Sequence, residues 1–125
     1  MAEQTGMYKV PLAALDTGGG VLSVANPEGV ELFVTRVLVD VTTPATGVCT
    51  VNAGIAAAAT TSSDNLLDGL DVGTAAILAD NVGTPGTNGK AVQAWAANQF
   101  LTISMATGAA AGLVGNAYIE YTRVG

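Results

Sequence analysis

Four aspartates in the middle of the chain are the first candidates for chemistry. Carboxylate oxygens are the ligands that Ca²⁺ prefers, and Ca²⁺ tolerates flexible geometry. The spacing of the four residues does not follow the alternating oxygens and fixed glycine of an EF-hand loop. Aspartates also close turns by accepting hydrogen bonds from nearby backbone N–H groups. We interpret the group mainly as turn caps, with Ca²⁺ binding as the alternative: Asp64, Asp68, Asp71 and Asp80.

A glycine-rich segment at residues 83–90 resembles a phosphate-binding loop. Its outer glycines, Gly83 and Gly89, stand one residue too far apart for that motif. Ala91 follows the lysine where a serine or threonine would hold Mg²⁺. We therefore predict an ordinary solvent-exposed loop that does not bind phosphate.

The chain contains no histidine and a single cysteine, which restricts its catalytic chemistry. Ser–His and Cys–His nucleophile pairs cannot form, and neither can a Cys/His zinc site. Cys49 lies in the apolar strand pattern Val48–Val51 and is predicted to be a small buried core residue. Because carboxylates alone remain for acid–base work, we predict that the protein is not an enzyme and uses no cofactor.

Aromatic residues are scarce, so their placement discriminates between functions. An exposed cluster of rings would make a platform on which a sugar could stack. The other interpretation is that the rings fill a core or an interface, where they cover a large area at small entropic cost. We favour core and interface for these rings and keep sugar binding as the alternative: Trp95, Tyr8, Tyr118 and Tyr121.

The charge of the chain argues against several partners. Its formal net charge is −6, and its four cations are scattered, whereas nucleic-acid binding needs a basic patch that displaces phosphate counterions. Charged residues make up 11% of the chain, compared with about 25% in typical soluble domains. This low content predicts a neutral surface that is partly covered by a partner. The cations are Lys9, Arg36, Lys90 and Arg123.

The sequence has no signal-peptide pattern at its start and no apolar run long enough to span a bilayer. We therefore expect synthesis in the cytoplasm and no membrane association. In that case the protein either stays free in solution or becomes part of a larger assembly.

Apolar and polar residues alternate along several segments, which is typical of half-buried strands. Glycine, proline and asparagine turns separate about seven or eight such short strands, and no segment predicts a long helix. This pattern predicts a single all-β domain at residues 7–125, an antiparallel, jelly-roll-like β-sandwich. Residues 1–6 are predicted to form a flexible N-terminal arm. Pro11 lacks a backbone donor, so its strand requires an edge position. The stretch Asp64–Ala76 is predicted to be a long connection held to the core by its leucines.

Three segments resemble the small proteins that decorate or cement the capsids of tailed bacteriophages. They are Asp64–Ala76, which contains Asn65-Leu66-Leu67-Asp68-Gly69 and Asp71-Val72-Gly73-Thr74-Ala75-Ala76, then Gly86–Lys90, and the closing Thr107–Tyr121. Proteins of this family are jelly-roll-like sandwiches that sit as trimers on the outer capsid surface. The resemblance implies that this chain binds the major capsid protein and stabilises the shell by bridging capsomers. It also implies a location in the virion after synthesis in the host cytoplasm. The alternative is a carbohydrate-binding module on a phage head or tail.

The resemblance transfers no individual site residues, so two contact surfaces are predicted from the chain itself. The polar N-terminal arm has nothing of its own to pack on, and we expect it to become ordered on the capsid. Its contact residues are Ala2, Glu3, Gln4, Thr5, Gly6 and Met7. Trimer contacts are predicted at Trp95 and in the loop Asn81–Lys90, at Thr84 and Pro85.

Overall fold

Two antiparallel β-sheets pack against each other in the computed structural model, which describes residues 4–12 and 20–124. The described residues form nine strands and no helix, and therefore no helix that could cross a membrane. The strands are β1 (Thr5–Leu12), β2 (Gly20–Ala25), β3 (Leu32–Thr43), β4 (Cys49–Ala56), β5 (Leu67–Asp71), β6 (Ile77–Asp80), β7 (Gln93–Trp95), β8 (Phe100–Gly108) and β9 (Val114–Arg123).

The strands pair in a nested order, as if one long hairpin had been rolled up. β1 pairs with β9, β2 with β8, β3 with β6 and β7, and β4 with β5. Two further pairings, β3 with β9 and β4 with β8, close the roll into two sheets. Sheet A has the order β1-β9-β3-β6, with β7 also beside β3, and sheet B has the order β2-β8-β4-β5. Nested pairs rolled in this way form a jelly roll, so the predicted fold class is confirmed.

The core lies between the sheets and is mainly aliphatic, because alternate residues of the long strands face inward. In β3 the buried residues are Leu32, Val34, Val37, Val39 and Val41, and in β8 they include Leu101 and Ile103. Cys49 is buried, as its strand pattern predicts. β1 is an edge strand, which confirms the position that Pro11 requires.

The stretch predicted as a long connection contains a strand, β5. Strict alternation would put apolar residues two apart, but Leu67 and Leu70 are three apart and are both buried. A β-bulge reconciles this spacing with pairing, because Leu67 lies opposite Ala53 and Leu70 opposite Val51. Gly69 supplies the left-handed backbone, with φ of 82°, between the two leucines. The prediction of a connection was therefore wrong for Leu67–Asp71.

The predicted flexible arm is also shorter than expected. Thr5 and Gly6 belong to β1 and pair with Thr122 and Tyr121 of β9. Gly6 lies against the Tyr121 ring so closely that a Cβ atom there would sit 2.6 Å from a ring carbon. The arm prediction was wrong for these two residues, because the last strand offers them a partner. Residues 1–3 lie outside the described part of the chain.

Candidate functional site

Face A, the outer face of sheet A, carries exposed apolar side chains. An outward-facing strand position in a sandwich is usually polar. Here Met7, Phe33, Leu78 and Val114 point outward with exposed fractions of 60%, 40%, 66% and 53%. Face A therefore contains four of the nine exposed large hydrophobic residues in the described part of the chain.

The pairing register arranges face A in rows that run across the strands. The central row crosses all four strands of the β1-β9-β3-β6 path, with two half-buried apolar residues flanked by charged ones. Its members are Lys9, Tyr118, Leu38 and Asp80. The row on one side of it is Met7, Glu120 and Arg36. The row on the other side is Pro11, Asn116, Asp40 and Leu78.

The charges of face A are only partly paired. Arg36 Nε donates to Asp80 Oδ2 at 2.8 Å. The Gly83 N–H bond to Asp80, helped by Arg36, lowers the pKa of this carboxyl below its usual value. Lys9 Nζ lies 5.8 Å from the centre of the Tyr118 ring, within the range of a cation–π contact. Within the described residues, the Asp40 and Glu120 carboxylates have no hydrogen bond or ion pair.

The outer face of sheet B differs because a polar segment, residues 57–65, bonds across it. The hydroxyls of Ser62 and Ser104 are 2.6 Å apart. Thr102 Oγ1 donates to the Thr61 carbonyl at 2.9 Å. These bonds satisfy polar groups of β8 that are buried under the segment. Face A has no such cover in the described part of the chain.

The four aspartates do not assemble into a metal site. Asp64 and Asp68 are joined through Asn88, whose side-chain amide and backbone N–H donate to them at 3.0 and 3.1 Å. Asp71 accepts hydrogen bonds from the Gly73 backbone N–H and the Thr74 hydroxyl. These bonds lower the pKa of Asp71, and the bond from the hydroxyl has the larger effect. Among the described residues, no group of three His, Cys, Asp or Glu could hold a metal ion. The turn-cap interpretation is confirmed for Asp71, and also for Asp80, which accepts from two backbone N–H groups.

Trp95 is fully buried inside its own chain. Its Nε1–H donates to the Gln99 carbonyl at 2.9 Å, and β7 holds it opposite Leu32. The prediction of a trimer contact at Trp95 was wrong, because a side chain enclosed in the core cannot touch a second subunit. Thr84 is exposed and Pro85 is half-buried, so a contact at these two residues stays a prediction.

The aromatic rings do not form a shared platform within the described residues. Tyr121 is buried like Trp95. Tyr8 lies beside Ile119, a core residue, whereas Tyr118 lies beside Lys9 in the central row. Tyr8 and Tyr118 therefore belong to opposite sides of sheet A.

A polar cluster ties the end of β9 to the turn before β3. Glu28 Oε2 accepts from the Tyr121 hydroxyl at 2.7 Å and from Arg123 Nη2 at 2.9 Å. Arg123 also donates to the Thr5 carbonyl at 2.9 Å. The hydrogen bond from Arg123, and to a smaller extent the one from Tyr121, lowers the pKa of Glu28. Burial raises the pKa of Tyr121. An open groove of about 440 Å³ adjoins the cluster and is lined by Thr5, Gly6, Met7, Thr35, Glu120 and Tyr121.

We expect Glu28 to contribute to stability at neutral pH but not in strong acid. Because folding lowers its pKa, the contribution is present above the usual glutamate pKa, about 4.3, and is lost as the pH falls below it. Glu28→Gln should reduce the melting temperature at pH 7 and leave it nearly unchanged near pH 2. Glu31→Gln makes the same charge change outside the cluster. Equal effects of both variants at pH 7 would contradict a specific role for Glu28.

Face A was not predicted from the sequence, although its residues carried a signal. The alternation that marks β3 and β9 as strands puts Leu38 and Tyr118 on the side away from the core. Apolar residues at such outward positions indicate a surface that something covers. The signal becomes clear only once the register places β1, β9, β3 and β6 side by side.

Comparison with known proteins does not assign the chain to a family. No family model, no curated protein and no solved structure matches the chain.

Proposed function

We propose that the chain is a structural protein of a tailed-phage virion that binds the outer capsid surface and stabilises the shell. The observation that supports this best is face A, a sheet surface without cover in the described part of the chain, on which exposed apolar side chains lie among charged ones. Exposed apolar side chains that polar residues surround are found at protein–protein contacts. Face A supports a role in an assembly, and the choice of a capsid as that assembly rests on the resemblance described above.

The fold is also compatible with the proposal. The jelly roll is the fold that the resemblance implies, and it occurs in viral capsid proteins as well as in lectins and cupins. The fold by itself does not select among these functions.

In this proposal the partner is the major capsid protein. The resemblance implies a trimer on the capsid, and the contacts that we predict for it from the chain itself are Thr84 and Pro85. The capsid contact predicted at Ala2–Met7 stays a prediction: Ala2 and Glu3 lie outside the described residues, and β1 presents Thr5, Gly6 and Met7, of which Met7 is 60% exposed. The sugar-binding alternative relies on clustered exposed rings, and the burial of Trp95 and Tyr121 removes the support it needs.

The proposal is tested by co-sedimentation with capsids prepared without this protein from a phage that encodes it. We expect the purified protein to sediment with the capsids in a saturable manner. A variant that lacks Ala2 and Glu3 retains all of β1, so it should keep its melting temperature while losing most of its capsid binding. Unchanged binding of this variant would reject the N-terminal contact. Absence of binding by the complete chain would reject the proposed function.

A further inference from the structure

We propose that two copies of this chain associate through face A, about a two-fold axis that lies between them and runs parallel to the strands. The axis passes above the boundary between β9 and β3. This inference goes beyond the proposed function: it names a second copy of this chain as the partner that covers face A, and it makes the free protein a dimer, whereas the trimer that the resemblance implies is a state on the capsid. It rests on the order in which the pairing register places side chains across sheet A.

A two-fold axis in this direction keeps each residue at its level along the strands but reverses the strand order. β1 of one copy then faces β6 of the other, and β9 faces β3. Each row of face A is therefore opposed by the same row, read in the reverse direction. An isologous contact of this kind needs a surface that is complementary to itself.

The central row meets this requirement. Reversal places Lys9 opposite Asp80 of the second copy. It also places the half-buried ring of Tyr118 opposite Leu38 of the second copy, next to the axis. Each copy supplies both partners, so these contacts form twice. The dimer would thus have an apolar centre with an ion pair at each side.

The neighbouring rows are complementary in the same arrangement. Glu120 comes to lie opposite Arg36 of the second copy, which gives the unpaired carboxylate a cation. Asp40, the other carboxylate of face A without a partner among the described residues, comes to lie opposite the Asn116 amide, which is a hydrogen-bond donor. The two carboxylates of face A that lack a partner among the described residues thereby each gain one.

The direction of the axis matters. An axis perpendicular to the strands and centred on the central row would oppose each residue of that row with its own copy. Lys9 would then face Lys9, and Asp80 would face Asp80. Like charges in close opposition cost free energy, so the axis parallel to the strands is the one that the charges favour.

The first test compares the masses of three purified proteins by light scattering across a dilution series. We expect the wild-type chain to have twice the mass of one chain. Leu78→Glu inserts a carboxylate into face A and should raise the dimer dissociation constant at least about tenfold, which is about 1.4 kcal/mol. Val48→Glu makes a closely related change at a residue that is 79% exposed and lies outside face A. This control should remain dimeric.

The second test addresses the direction of the axis by cross-linking. Pro11 and Leu78 of opposite copies are expected to face each other across about 10 Å, the usual separation of packed sheets. Identical residues are further separated by three strand spacings, about 14 Å. A short thiol cross-linker should therefore join a tagged Pro11→Cys chain to an untagged Leu78→Cys chain. Neither variant alone should cross-link efficiently, and the natural Cys49 is buried.

Each of these measurements can overturn the inference. A wild-type mass of one chain or of three chains contradicts the two-fold contact. If the Leu78→Glu dimer is as stable as the Val48→Glu dimer, the two copies associate through a different face. Efficient cross-linking of either variant with itself, without the mixed product, would contradict the axis. These results do not depend on capsid binding, so they are distinguishable from failure of the proposed function.

Discussion

Replacement of Trp95 by alanine is expected to lower the free energy of unfolding by about 3–5 kcal/mol. The ring is fully buried and is the largest of the fully buried side chains in the described residues. Its removal leaves a cavity in a core that is otherwise built from smaller aliphatic side chains, and rigid strands can close such a cavity only in part. The Gln99 carbonyl also loses the hydrogen bond that it accepts from the indole N–H.

The loss should appear in chemical denaturation followed by circular dichroism, since this variant has no tryptophan to report by fluorescence. The denaturation midpoint should fall while its slope stays unchanged. Phe33→Ala is the matched control, because Phe33 lies in the same β3–β7 ladder but is 40% exposed. A loss for Trp95→Ala no larger than for Phe33→Ala would contradict the structural role of the ring.

Replacement of Asn81 by alanine should be nearly as harmful, at about 2–4 kcal/mol, although this residue is polar and lies in a loop. Its side chain is fully buried and makes three hydrogen bonds. Oδ1 accepts from the Val37 N–H at 2.7 Å, and Nδ2 donates to the Lys90 and Ala91 carbonyls at 2.8 and 3.1 Å. Alanine leaves the buried Val37 donor without a partner, and this accounts for most of the cost.

The same substitution should release the loop that Asn81 holds against β3. We expect faster proteolytic cleavage within residues 82–90 as well as a lower denaturation midpoint. Asn98→Ala removes an exposed amide from another turn and should change the free energy of unfolding by less than about 0.5 kcal/mol. Equal protease sensitivity of both variants would show that Asn81 does not anchor the loop.

The sequence could predict the strands whose apolar residues alternate, and it could not predict the parts that depend on pairing partners. β3, β4, β8 and β9 have the period-2 pattern. β5 does not, because its bulge separates Leu67 and Leu70 by three positions. β1 begins earlier than predicted because Thr5 and Gly6 find partners in β9, more than a hundred residues away along the chain.

The candidate site was less predictable than the fold for a related reason. A lone tryptophan fits a core and an interface equally well in sequence, and only the register of β7 against β3 places Trp95 inside. The role of Asn81 has no local signal, since its three partners come from β3 and from the far end of its own loop. Face A likewise combines residues from four strands that are distant in sequence.

The central claim is that this chain is an assembly protein that stabilises a capsid, and the melting temperature of the capsid tests it most directly. Capsids prepared without the protein would be heated alone and after saturation with the purified chain. We predict a higher capsid melting temperature after saturation, because a ligand that binds only the intact shell stabilises it, by an amount that grows with the logarithm of the ligand concentration divided by its dissociation constant. An unchanged melting temperature at saturating protein would contradict the account.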